Sequence, residues 1–241
     1  MTSPLLSIVI PAYNEGARIA GTLEKVVRFL ETQSYAWEVV VVDDGSTDRT
    51  AALVEERAKT DARIRLERRP HAGKGWTVRH GMLAATGRLR MLCDADLAMP
   101  VEFLPQFLAK IGEGYDAAIG SREAPGARRF GEPAGRHLIG RAFNWCVRML
   151  AVQRFQDTQC GFKCFRAEAA ETLFPLQRTK GFGFDVEVLY LAVCKKMRVA
   201  EVPIDWYHQP RSKVRPMVDS FSMLRDVAAM RLNGLMGRYG D

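Results

Sequence analysis

The strongest constraint on the fold is a rhythm of short apolar or β-branched runs separated by longer segments of helical period. The runs are Leu6 to Ile10, Glu38 to Val42, Ile64 to Leu66, Leu89 to Cys93, Tyr115 to Ile119 and Val199 to Pro203. Between them the spacing predicts helices that begin near Ala17, Asp48, Trp76, Val101 and Gly135. Such alternation is the pattern of a parallel sheet with crossover helices, so the chain reads as α/β, a mostly parallel central sheet flanked by helices. One helix start is also written in its chemistry. Ser46, Thr47 and Asp48 precede an Ala, Leu, Val run and offer side-chain oxygens to the orphan N–H groups of a first turn.

With 241 residues, 47% of them apolar, the chain can bury a substantial core within the size of one domain. No repeat or low-complexity linker divides it, and residues 1–241 read as a single domain. No window approaches the roughly 20 apolar residues of a membrane-spanning helix, and Met1-Thr2-Ser3-Pro4 carries no basic flank. The expectation is a cytoplasmic protein, at most peripheral to a membrane. Five cysteines without a CxxC pair predict structural thiols rather than a zinc site. The formal charge of +7 calls for an anionic partner without choosing among nucleic acid, phosphorylated metabolites and acidic lipid. Arg122, Arg128, Arg129, Arg136, Arg141, Arg148, Arg154 and Lys163, with His137 among them, concentrate that charge in one stretch.

Ligands of open α/β sheets bind beyond the carboxyl ends of the strands. The first run ends in Pro11-Ala12-Tyr13-Asn14-Glu15 and the second in Asp43-Asp44-Gly45-Ser46. Carboxylates there suit ribose hydroxyls or a base N–H, although the same residue types also serve as plain loops and caps. Neither loop contains G-x-G-x-x-G or a P-loop, which disfavours both of those phosphate sites. Asp94-Ala95-Asp96 follows the run Leu89 to Cys93. Two carboxylates one residue apart at a strand end suit Mg²⁺ or Mn²⁺, with substrate phosphates completing the shell. The metal would then stabilise charge on a departing nucleotide diphosphate.

Taken together, Pro11 to Glu15, Asp43 to Ser46, Gly73-Lys74-Gly75 with Val78-Arg79-His80-Gly81, and Asp94-Ala95-Asp96 form an ordered set. To these add Gly120-Ser121-Arg122, Asp157-Thr158-Gln159-Cys160-Gly161-Phe162-Lys163, Phe184-Asp185-Val186-Glu187 and Ser212-Lys213. The set resembles the family 2 glycosyltransferases of GT-A fold, and within them the dolichyl-phosphate β-glucosyltransferases, over nearly the whole chain. The Asp-Thr-Gln-Cys-Gly-Phe-Lys string sets it apart from the similar dolichyl-phosphate mannose synthases.

The resemblance implies that Pro11, Tyr13, Glu15, Asp43 and Asp44 hold the nucleoside, that Lys74 and Arg79 lie near the donor, and that Asp94 and Asp96 carry the metal and diphosphate. It implies an inverting displacement on a nucleotide sugar, UDP-glucose first, by an acceptor oxygen. A phosphate monoester, with a second pKa of about 6, is already nucleophilic at neutral pH, whereas a sugar hydroxyl needs a base. Asp157 is the leading residue for that base or for orienting the acceptor, with Glu187 second, and Asp96 stands beside Asp157 as catalytic. Arg122, Arg136 and Lys213 match positions that bind acceptor or donor phosphates, and guanidinium geometry suits a polyprenyl (dolichyl) phosphate.

Two segments have the spacing of amphipathic interfacial helices: Leu138 to Leu150, and Met217 to Met236 with Phe221, Leu224, Ala228 and Leu235 as its apolar face. They predict docking on the cytoplasmic face of a membrane. Rival readings are a polyprenyl-phosphate mannosyltransferase using GDP-mannose, a transferase with a soluble saccharide acceptor, and a basic nucleic-acid-binding module. The last leaves the acidic loops unexplained and shows no helix-turn-helix, RRM or zinc signature, so nucleic acid is not an expected partner.

Overall fold

The computed structural model describes residues 3–131, 147, 151–209 and 216–240, with side chains for all of these except 216–221. In chain order the elements are β1 (Leu6–Ala12), α1 (Ile19–Glu31), β2 (Trp37–Asp43), α2 (Thr50–Thr60), β3 (Ile64–Arg68), α3 (Lys74–Ala84) and β4 (Leu89–Leu92). A 3-10 turn (Val101–Phe103) leads into α4 (Leu104–Gly112), followed by β5 (Ala117–Ser121), β6 (Arg128–Phe130), β7 (Lys163–Arg166) and α5 (Ala167–Leu173). Then come α6 (Phe184–Cys194), β8 (Val199–Pro203), β9 (Asp205–Tyr207) and α7 (Pro216–Leu235).

Seven strands form one sheet in the order β3-β2-β1-β4-β7-β5-β8. Four of its pairings are parallel; β7 runs antiparallel between β4 and β5. β6 and β9 make a separate two-stranded ribbon. The apolar runs are continuous because the sheet is covered on both faces. In β1, Leu6, Ile8, Ile10 and Ala12 enter the cluster built with α1 and α4. Val9 enters the opposite cluster with residues of α3, α5, α6 and α7. α1 buries Ile19, Leu23, Val26, Val27 and Leu30, a helical stripe facing the sheet. Each such side chain contributes about 1.5–3 kcal/mol on burial.

The expected helix cap is present in altered form. Asp48 Oδ1 accepts the Thr50 N–H at 2.9 Å, and its Oδ2 accepts the Gly16 N–H from the neighbouring loop at 2.9 Å. Cys93, Cys160 and Cys164 are buried free thiols and Cys194 is exposed; burial pushes the Cys160 and Cys164 thiols up to about 12, which makes them inert.

α7 covers the second predicted amphipathic segment, and its turn about the axis leaves part of the predicted outward face exposed. Met223, Val227 and Met230 are buried, whereas Ala228 and Leu235 are exposed. The turn comes from seating against α6 and its approach: a Cβ at Gly234 would lie 2.1 Å from Tyr190 Oη, and one at Gly183 2.7 Å from Asp226 Cβ. Of the other predicted amphipathic segment only Val147 lies among the described residues, and it is fully buried in the core rather than presented outward; the helix start near Gly135 lies outside them. No helix among the described residues is long and apolar enough to cross a membrane.

Candidate active site

Because β2 and β3 extend from one side of β1 and β4 lies on the other, the sheet has its topological switch point between β1 and β4. The loop after β1 is stitched to the loop after β2. The Asn14 N–H donates to Ser46 Oγ (2.8 Å), the Thr47 N–H to Asn14 Oδ1 (2.8 Å) and the Glu15 N–H to Thr50 Oγ1 (2.7 Å). Asn14 adopts a left-handed backbone, φ 50°, to make this join.

Of the predicted nucleoside residues, Pro11 lies in β1 opposite Val42, close to the strand's carboxyl end. The Tyr13 ring stacks on His71 at 4.3 Å with 22° between planes. Glu15 pairs with Arg18 at 2.9 Å. Asp44 faces the loop before α3: its oxygens accept the N–H groups of Ala72 (2.9 Å) and Gly73 (3.1 Å), and His71 Nδ1 lies 2.9 Å from Oδ2. Its carboxylate therefore positions the Gly73-Lys74-Gly75 turn. Asp43 differs. Its Oδ2 accepts the Ser46 N–H at 3.2 Å, while Oδ1 is buried with no hydrogen-bond partner. A buried orphan acceptor of this kind marks a place for a missing donor.

Beyond β4 the chain turns tightly, with the Leu97 N–H on the Asp94 carbonyl at 3.2 Å and Leu97 at φ 46°. Asp96 Oδ1 accepts the Ala98 N–H at 3.0 Å. Burial first, and then the negative charge of Asp94, raise the Asp96 carboxyl above the ordinary range. Lys74 Nζ sits 2.6 Å from Asp94 Oδ1. Burial works against its charge, but Asp94 and Asp185 outweigh burial and hold the ammonium on. The backbone of Gly161 closes the far side of Asp94, where a Cβ would fall 1.8 Å from Oδ2. Two carboxylates whose charges oppose each other fit a hard divalent cation. No group of three acidic, histidine or cysteine side chains able to hold a metal occurs among the described residues; a cation here would need water and phosphate oxygens to complete its shell.

At the end of β5, Arg122 clamps Asp157. Nε and Nη2 reach the two carboxylate oxygens at 2.6 and 2.9 Å, and the Arg122 and Gln159 N–H groups add 3.0 Å bonds. Despite burial, Arg122 holds the Asp157 carboxyl well below the usual range. That corrects the base half of the expectation for Asp157 and leaves the other, orienting the acceptor: four donors occupy its lone pairs, and its affinity for a proton is minimal. Glu187 is corrected likewise. Its Oε2 accepts the N–H groups of Arg178 (3.0 Å) and Thr179 (2.7 Å), and Oε1 accepts the Tyr239 hydroxyl (2.6 Å), a structural role. Arg79 is turned to the carbonyls of Phe174 (2.8 Å) and Pro175 (3.2 Å), where it ties α3 to the end of α5. Arg136 and Lys213 lie outside the described residues.

The family model for glycosyl transferase family 2 matches residues 7–173, a span that takes in all the strand-end loops above. The chain belongs to that family. Among curated relatives, a dolichyl-phosphate beta-glucosyltransferase of Saccharomyces cerevisiae is 32% identical, with 98% of this chain and 77% of that protein covered. One from Dictyostelium discoideum is 34% identical over 96% of this chain and 75% of its own length. Among solved structures, glucosyl-3-phosphoglycerate synthase from Mycobacterium tuberculosis in complex with UDP superposes with a TM-score of 0.66 at 24% identity, covering 98% of this chain and 80% of that one. The same enzyme with Mn²⁺, UDP and glucosyl-3-phosphoglycerate gives 0.65 at 23%. These likenesses establish the GT-A fold.

In this family 2 glycosyltransferase two charged residues join the site that motif reading did not assign. Lys163 Nζ is buried against Asp185 Oδ1 and also donates to the Cys160 carbonyl at 2.6 Å. Asp185, on α6, is raised by burial although Lys163 and Lys74 pull it down. The signal was legible: a lysine inside Gly-Phe-Lys-Cys-Phe and an acid inside an otherwise apolar helix need a partner.

Proposed function

We propose that this chain transfers glucose from UDP-glucose, with inversion, onto a polyprenyl phosphate of dolichyl type at a membrane surface, with Mg²⁺ or Mn²⁺ as cofactor. The observation that carries the acceptor class is the Arg122–Asp157 clamp. It removes the leading carboxylate from base duty and leaves a guanidinium oriented at the end of β5. A hydroxyl acceptor needs a base, whereas a phosphate acceptor is anionic already and benefits from a fixed cation. The names of the curated relatives support glucose and dolichyl phosphate.

Asp43 and the Tyr13 loop would receive the nucleoside, with the orphan Oδ1 of Asp43 accepting a hydrogen bond from it. Asp94 and Asp96 would hold the divalent cation, which when bound neutralises the diphosphate leaving group. Lys74 would supply a further positive charge to the same phosphates. Arg122 would fix the acceptor phosphate, and Asp157 would keep Arg122 in place.

Peripheral attachment to the cytoplasmic face belongs to this proposal. Its support is the distal end of α7 and the residue beyond it, where Leu232, Leu235 and Met236 are exposed beside Arg231 and Arg238. The test is a matrix of UDP-glucose and GDP-mannose against a polyprenyl phosphate and free saccharides. Glucolipid formation from UDP-glucose alone is the expected result; transfer only to a saccharide refutes the acceptor assignment.

A further inference from the structure

Lys74 occupies an electrostatically awkward position. It is the first residue of α3, a helix without an acidic residue in its first turn, and a cation at a helix N-terminus meets the positive end of the dipole. The Gly75 N–H, at 2.7 Å, and the Trp76 N–H, at 3.3 Å, are both taken by the Lys180 carbonyl. The ammonium itself is held on Asp94 Oδ1 at 2.6 Å. The other oxygen of Asp94 is packed against Gly161. A divalent cation seated between Asp94 and Asp96 would share a carboxylate with this ammonium, and like charges a few ångströms apart repel strongly in a partly buried site.

Among the described residues, no acid acting on the ammonium offers it a place away from the cation. Two other carboxylates act on it: Asp185 is occupied by buried Lys163, and Asp96 belongs to the same cation site as Asp94. A nucleotide diphosphate brings the missing acceptor oxygens. We propose that Lys74 is a resident counter-ion that closes Asp94 to divalent cations until a nucleotide diphosphate draws its ammonium away. Metal and nucleotide then bind with positive coupling, and by linkage each tightens the other by the same factor. The inference rests on Asp94 and Asp96 being the metal site.

Mn²⁺ titrated alone into the donor-free protein, with the free ion followed by EPR, tests it without any turnover. Lys74→Met should bind Mn²⁺ roughly tenfold more tightly than the unaltered protein. Lys74→Arg, which keeps the charge, should stay weak. Added UDP should tighten Mn²⁺ strongly in the unaltered protein and far less in Lys74→Met. Should Lys74→Met fail to fold, Lys74→Gln gives the same comparison. Equal Mn²⁺ affinities for the unaltered protein and a folded charge-removing variant overturn the counter-ion role, while Asp94→Asn abolishing Mn²⁺ binding shows that the site assignment stands. Mn²⁺ binding untouched by Asp94→Asn and Asp96→Asn overturns the site assignment and the counter-ion role together.

Discussion

Arg122 and Asp157 hold each other through a bidentate contact at 2.6 and 2.9 Å, with the carboxylate almost wholly buried and the guanidinium reaching the surface. The arginine's orientation is thus fixed from below before any acceptor arrives.

Removing one member of this pair should cost more than removing both. Arg122→Ala strands a buried carboxylate and should lower stability by about 3 kcal/mol. The double variant Arg122→Ala/Asp157→Asn should recover part of that loss in a denaturant titration. Both variants should raise the acceptor KM at least tenfold and leave the donor KM nearly unchanged; a rise in donor KM alone contradicts the assignment.

The same pair sets a pH dependence. The folded-state pKa of Asp157 lies below its unfolded value of about 3.9. Its stabilisation is therefore complete above that value and is lost as the pH falls below it towards the folded-state pKa. Melting temperature followed from pH 7 to pH 3 should fall more steeply for the unaltered protein than for Asp157→Asn. Parallel curves contradict this. Activity near neutral pH should show no inflection from Asp157, because it stays ionised there.

Asp43 offers a prediction that separates stability from binding. Asp43→Asn can keep the bond from the Ser46 N–H through its amide oxygen and puts an NH2 donor where the orphan acceptor lies. Stability should change by less than about 1 kcal/mol, since one unpartnered buried polar group replaces another. UDP affinity by calorimetry should fall about tenfold, the scale of one lost hydrogen bond to a charged group. Unchanged affinity removes Asp43 from the nucleoside site.

Glu187 and Tyr239 should behave as structural residues. Tyr239→Phe leaves Glu187 Oε1 without its 2.6 Å donor and should cost about 1–2 kcal/mol. Neither substrate KM should move. A large KM change with intact stability contradicts the structural reading.

Much of this was legible in the sequence, for definite reasons. Uninterrupted runs such as the five residues from Glu38 to Val42 marked a sheet buried on both faces, and the acids following them marked the switch point. β7 was missed because Lys163–Arg166 is short and begins with a buried lysine whose partner, Asp185, lies 22 residues away. α6 was missed because its buried residues surround the axis and leave no amphipathic period. For Asp157 the sequence leaves base and acceptor-orienting roles both open, because a motif shows which residue is present and not how many donors reach it. The bonds of Arg79 are hidden from the sequence for a similar reason, since the carbonyls of Phe174 and Pro175 that it reaches are distant along the chain.

The most direct test is transfer of radiolabelled glucose from UDP-glucose to a polyprenyl phosphate by the purified protein, with and without chelator, compared with Asp94→Asn/Asp96→Asn. The account predicts a metal-dependent glucolipid product that the double amide variant reduces at least a thousandfold, about 4 kcal/mol in the barrier. Product formed at an undiminished rate by that variant, or with chelator present, would contradict it.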